Sequence, residues 1–215
     1  LAAALGLSLA AQPVAGQEVT LRTVLQLGAA DLRGADTDSR WGNRAVVGGG
    51  LGATLRLPLS VTVELETLFA GKGTRFRDED ELFEQRSRYL EIPVGVFANP
   101  RIAGPMGGRV GGGGALALLT SCEIAVGIRL LQTAPGPEQW STTTQDCNNG
   151  VLRYDTRTLD WSAFGEAGVW VHWARYTVSL AARLERGVTS IAPSQDDLDI
   201  KTQVISCRAT VDMRL

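Results

Sequence analysis

The stretch Ile205-Ser-Cys-Arg-Ala-Thr-Val-Asp-Met-Arg-Leu215 alternates without a break. Ile205, Cys207, Ala209, Val211, Met213 and Leu215 are apolar, and the residues between them are polar or charged. A period of two sustained over that length describes one long β-strand with an apolar face and a charged face. Strands in soluble proteins centre near five or six residues. A strand of about ten or more is what a tilted membrane crossing needs.

The same pattern recurs upstream, and the sequence predicts eight strands. They fall at about 19–29, 44–57, 61–71, 87–98, 109–121, 157–171, 175–186 and 205–215. Links after the first, third, fifth and seventh are long and polar (31–42, 72–86, 123–156, 187–201). Those after the second, fourth and sixth are mostly shorter: Pro58-Leu-Ser60, 99–108 and His172-Trp-Ala174. Residues 124–131 are read as a possible extension of the fifth strand into its loop. Such alternation of short turns and long loops, with an even strand count, is the layout of an up-and-down transmembrane β-barrel. Trp41, Tyr89, Trp161, Trp173 and Tyr176 lie near strand ends and are candidates for interfacial girdles.

Alternation alone leaves two barrels open. A soluble, lipocalin-like carrier turns its apolar face inward; a membrane barrel turns it outward. Charge decides between them. Arg22, Arg44, Arg56, Arg183, Arg208 and Arg214 share the polar faces with Glu64, Glu66, Glu91, Glu166, Glu185 and Asp212. Six bases against six acids, nearly all in mid-strand, suits a closed interior where each charge needs a partner. Lysine is confined to Lys72 and Lys201, and arginine's planar fork is the better partner for a buried carboxylate. The expectation is lipid outside and an ion-paired core inside, filled by side chains as eight-stranded barrels are.

Residues 1–16 read as the apolar and cleavage regions of an export signal, with Val14 and Gly16 placed for a cut before Gln17. The reading lacks a charged leading segment and an initiator Met, so it predicts a signal remnant at 1–16 and a barrel over 17–215. Cys122 and Cys147 flank a polar loop, either as free thiols or as a disulfide suited to an oxidising compartment. Cys207, on the apolar face, reads as a small hydrophobe.

Several stretches resemble one family in order. Arg88-Tyr-Leu-Glu-Ile-Pro-Val94 is similar to the fourth strand of the outer-membrane β-barrel domain family, the porin-family or OmpA/OmpX-like proteins. Residues 110–122 resemble its glycine-rich strand, and Leu159-Asp-Trp-Ser-Ala-Phe-Gly-Glu-Ala-Gly-Val169 its "D-F-G-x-x-x-G-x-G-V" strand. Ala182-Arg-Leu-Glu-Arg-Gly-Val-Thr-Ser-Ile191 resembles its "R-Y-x-x-G-L-T-x-I" strand, and Asp199-Ile-Lys-Thr the approach to the last strand. The resemblance implies an eight-stranded barrel delivered through the periplasm, with outer-membrane lipid, periplasmic chaperones and the barrel-assembly machinery as partners. It carries over no catalytic residue. One departure is Leu215, where such chains usually end in an aromatic residue.

No enzyme, cofactor or metal site is expected. Glu64, Glu66, Glu91 and Glu166 are read as interior ion pairs rather than an acid/base pair. Glycines 48–50 and 111–114 lie within strands and lack a Gly-Lys-Ser/Thr ending, so they do not cradle phosphate. The run 78–81 lacks the spaced ligands of a dedicated Ca²⁺ loop. His172 lacks a second histidine for a transition metal, and its pairing with Ser162 or Ser179 for hydrolysis is a weak alternative. A net charge of −2 without a basic cluster argues against nucleic acid. The functional expectation is a monomeric outer-membrane barrel of structural or interaction type, or a narrow pore. The alternatives are the soluble periplasmic carrier and a membrane-embedded lipid-modifying enzyme.

Overall fold

The computed structural model describes residues 18–34, 41–77, 81–129, 140–147, 158–188 and 200–215. The export-signal region 1–16 lies outside them, as do the acidic residues 78–80 and most of the long loop at 130–157. Eight long strands form the wall: β1 (Glu18–Gly34), β2 (Arg44–Leu57), β3 (Val61–Arg77), β4 (Glu81–Ala98), β5 (Met106–Arg129), β6 (Leu159–Trp173), β7 (Tyr176–Gly187) and β8 (Ile200–Arg214).

Each strand pairs antiparallel with its sequence neighbours, and β1 closes the barrel on β8 with Leu21 opposite Met213 and Leu27 opposite Cys207. Closure leaves the wall without a free edge. One end, here the near end, holds the turns at Pro58–Ser60 and at 104–105 and 174–175, together with Glu18 and Arg214. The long hairpins belong to the far end.

The pleat sends alternate side chains to opposite faces, and the barrel is inside-out. Leu25, Val47 and Phe69 are 64, 67 and 65% exposed on the outer surface, whereas Arg208 inside is 0% exposed. Outward charges appear at Arg88 and Arg186 toward the far end and at Arg175 toward the near end. Among the described residues the outer face between those levels carries apolar, small or hydroxyl side chains only. That is the surface of a transmembrane barrel.

Several strands run further than their sequence pattern suggested. Residues 72–77 and 82–86, expected as a charged loop, continue β3 and β4 as a ladder in which Arg75 faces Glu84 and Phe76 faces Phe83. The residue pattern misled because a polar run signals a loop only when the wall behind it is apolar. Here the inside of the wall is polar, and Lys72 points into it.

The 99–108 turn is also more ordered than expected: Arg101–Ala103 pairs with the start of β5. Beyond the barrel's far end β5 continues to Arg129, and a short strand, Trp140–Asp146, folds back along it. A bulge at Thr120 marks where β5 changes register against β4.

Candidate functional site

The interior holds two ionic clusters. In the near half, Arg22 of β1 grips Asp212 of β8 with both ends of its fork, Nε at 2.7 Å and Nη2 at 2.9 Å. Its Nη1 also reaches Glu64 and, at 3.3 Å, Glu66 of β3. Arg109 of β5 takes Glu64 with two donors, at 2.5 and 2.6 Å, and Glu166 of β6 with Nε at 2.8 Å. Glu166 accepts further bonds from Arg183 of β7 at 2.9 Å and Arg208 of β8 at 2.7 Å, and Arg208 also reaches Glu66. Six of the eight strands are thereby tied through one network.

Bidentate, charge-assisted bonds of this kind are the strong ones, and they recover the cost of taking the ions from water only when the pairing is this complete. Two stacked rings fill the space beside it. Phe97 and Phe164 lie 6.4 Å apart, with the Arg109 guanidinium 3.7 Å from the first ring and that of Arg183 3.8 Å from the second. Glycine makes the room: a Cβ on Gly111 would stand 2.6 Å from the Phe97 ring, and one on Gly95 2.7 Å from it.

Toward the far end the second cluster centres on Lys72. Its Nζ lies 2.7 Å from Glu185 Oε1, which also accepts from Ser162 Oγ at 2.9 Å. Glu91 Oε1 is 2.6 Å from the same ammonium, in ion-pair contact without hydrogen-bond alignment.

Of the charges expected inside, Arg22, Glu64, Glu66, Glu91, Glu166, Arg183, Glu185, Arg208 and Asp212 are buried there. Three sit at the ends instead. Arg44 pairs with Glu84 at 3.4 Å near the far end, while Arg56 and Arg214 share Glu18 at the near mouth. The cause is position along the strand: Arg44 begins β2, Arg56 is next to its end, and Arg214 ends β8 and is exposed. Lys72 and Arg109 are buried members that the residue pattern did not single out. Both share the parity of known inward positions, Lys72 with Glu64 and Glu66, and Arg109 with Gly111 and Gly113.

Tyr89, a girdle candidate, faces inward over Lys72 at 5.5 Å. Trp161 and Trp173 do face outward, Tyr176 is half-buried, and the side chain of Trp41 lies outside the described residues.

Cys122 and Cys147 are bonded to each other, with Cα atoms 5.4 Å apart, and Cys207 is a free thiol on the outer face. His172 Nδ1 meets Thr177 Oγ1 at 3.1 Å, whereas Ser162 and Ser179 bond Glu185 and Thr210; the serine–histidine pairing is not formed. The carboxylates considered for acid/base work are each held by arginine or lysine. Among the described residues no group of three or more His, Cys, Asp or Glu is placed to hold a metal ion.

A cavity of about 390 Å³ opens at the near end, floored by Arg22, Glu64, Arg109 and Asp212 and walled by Thr20, Thr54 and Thr177. The near mouth is therefore open as far as the ion network that floors it.

The chain forms a closed eight-stranded antiparallel barrel with an apolar outer face and a charged interior. No family model and no curated protein matches it. Among solved structures it is similar to Neisserial surface protein A, at 10% identity over 89% of this chain and 96% of that one, with a TM-score of 0.45. It is also similar to Ail, the attachment invasion locus protein of Yersinia pestis, at 12% identity over 91 and 99%, TM-score 0.41. The outer membrane enzyme PagL gives 10% identity over 88 and 97%, TM-score 0.41. At these identities and TM-scores the likenesses carry no role over to this chain.

Proposed function

We propose that this chain is an integral protein of the bacterial outer membrane, a monomeric barrel of structural or interaction type whose far-end hairpins face outward from the cell. One observation carries the reading: exposed apolar side chains circle the outside while charged side chains are buried and paired inside. In water that arrangement would leave a continuous apolar belt exposed far beyond what soluble monomers show. In lipid it satisfies every layer.

The far-end extension supports an outward-facing interaction role. The Cys122–Cys147 bond clamps the Trp140–Asp146 strand to β5, over a small apolar cluster of Cys122, Ile124 and Cys147 packed against Phe83, Leu119 and Val126. A disulfide fits an exported protein. Reaching that site requires passage past periplasmic chaperones and insertion by the barrel-assembly machinery, with no nucleic-acid partner, cofactor or catalytic residue in this reading. The near-half network, spanning strands on opposite sides of the wall, favours a closed lumen over an open pore.

The test is heat-modifiability of the detergent-extracted outer-membrane fraction, compared boiled and unboiled on a gel. A compact unboiled band that shifts on boiling is expected. Recovery in the soluble periplasmic fraction, with no shift, would overturn the reading in favour of a soluble carrier.

A further inference from the structure

The near-end cavity has a neutral floor and a cationic rim. On the floor, Arg22 and Arg109 are engaged with Asp212, Glu64 and Glu166. Thr54 donates to Asp212 at 3.2 Å and Thr62 to Glu64 at 3.3 Å, so both acids lining the cavity are satisfied.

Three further arginines line it: Arg56, Arg101 and Arg214. The carboxylate beside them is Glu18, which Arg56 approaches only to 3.6 Å and Arg214 meets at 2.7 Å without hydrogen-bond alignment. One acid loosely shared by two guanidiniums leaves donor capacity facing the cavity. A second observation is independent of the rim. Thr20, 1% exposed, lines the cavity, and its Oγ1 has no hydrogen-bond partner among the described residues. A buried hydroxyl without a partner is uncommon and is costly to leave unmade.

We infer that this cavity binds a small solute bearing an oxyanion, a phosphate or a carboxylate. Arg56, Arg101 and Arg214 neutralise its charge, and the Thr20 hydroxyl donates to one of its oxygens. The arginine fork suits both anions because it offers parallel donors at the spacing of two oxygens. A volume of about 390 Å³ is within the range of small-ligand pockets and exceeds what a single phosphate fills. Bound anion replaces Glu18 as the partner of Arg56 and Arg214, so Glu18 competes with it. That the mouth opens toward the periplasm rests on the proposed outer-membrane reading; binding itself does not.

The experiment is calorimetric titration of the folded protein in zwitterionic detergent at low salt, with inorganic pyrophosphate and with citrate as probes. Saturable binding of at least one is expected, and which one binds separates phosphate from carboxylate ligands. R56Q/R214Q should weaken binding by about tenfold or more, the loss of two charge-assisted contacts. T20V should weaken it by about threefold to tenfold.

E18Q should act in the opposite direction, tightening binding about threefold or more by releasing both arginines. A merely structural Glu18 would not produce that gain. Each variant is checked first for its heat-modifiable band, which reports the barrel separately from the site. Binding of neither probe by folded wild type overturns the inference, as does binding that R56Q/R214Q and E18Q both leave unchanged.

Discussion

The barrel wall and the extension above its far end solve the same packing problem with opposite polarity. In the wall, Arg208 is buried and its neighbour Cys207 faces out. In the extension, Cys122, Ile124 and Cys147 are buried while Glu123, Ser141, Thr142 and Thr143 face out. One is held by ion pairs inside an apolar sleeve; the other by a disulfide over a small apolar core, as a secreted sheet would be. The two share a continuous strand, β5, and its sense inverts near the bulge at Thr120. The solvent changes there from lipid to water, and the face that must be apolar changes with it.

The strongest way to break the contrast is to strip the wall of an interior acid. Glu166 accepts from Arg109, Arg183 and Arg208. Glu166→Leu takes from Arg183 its ion-pair partner and from Arg109 and Arg208 one of two, leaving the buried network one negative charge short. Breaking a buried pair in this way costs about 3–5 kcal/mol. Urea titration of the lipid-reconstituted protein should show that loss or a failure to form the heat-modifiable band.

Next in size is Cys122→Ser/Cys147→Ser. By chain entropy a bond across a sequence separation of 25 is worth about 3–4 kcal/mol. The loss should be confined to the extension: proteolysis cuts within 130–157 while the boiled–unboiled shift persists.

A charge placed outward sharpens the comparison further. Leu27→Arg sets a guanidinium on the lipid face, at about 2–4 kcal/mol near the membrane midplane. Thr143→Arg, outward on the extension, should change stability by less than about 0.5 kcal/mol. Equal effects at the two positions would erase the distinction between the regions.

The wall was legible because its period is two and because both sets of alternating residues had to be satisfied. The strand order, the closure and most of the interior charges follow from that pattern. The strand ends did not. Lys72 and the residues on to Arg86 look like a solvated loop, since charge in a chain usually means water. The charge of Lys72 is met instead by Glu91 on the next strand and by Glu185 on β7, distant in sequence.

Arg109 escaped notice because the glycines after it give no alternation to read. The register against β6, with Arg109 opposite Gly168 and Gly111 opposite Glu166, places it on the inward face. Tyr89 was misplaced for a related reason: an aromatic near a strand end suits a girdle, but its parity with Glu91 turns it inward. The near-end cavity depends on which rim arginines share Glu18, and no spacing in the chain encodes that.

The inside-out barrel can be tested without changing a residue. Cys207 is the free thiol among the described cysteines and lies on the outer face, between Leu27 of β1 and Ala182 of β7 in register. A nitroxide attached there in lipid vesicles reports its surroundings by power saturation. High collision with oxygen and little with a water-soluble nickel chelate is the result expected of a lipid-facing position. Strong collision with the nickel chelate would place Cys207 in water and contradict a wall whose apolar face meets the membrane.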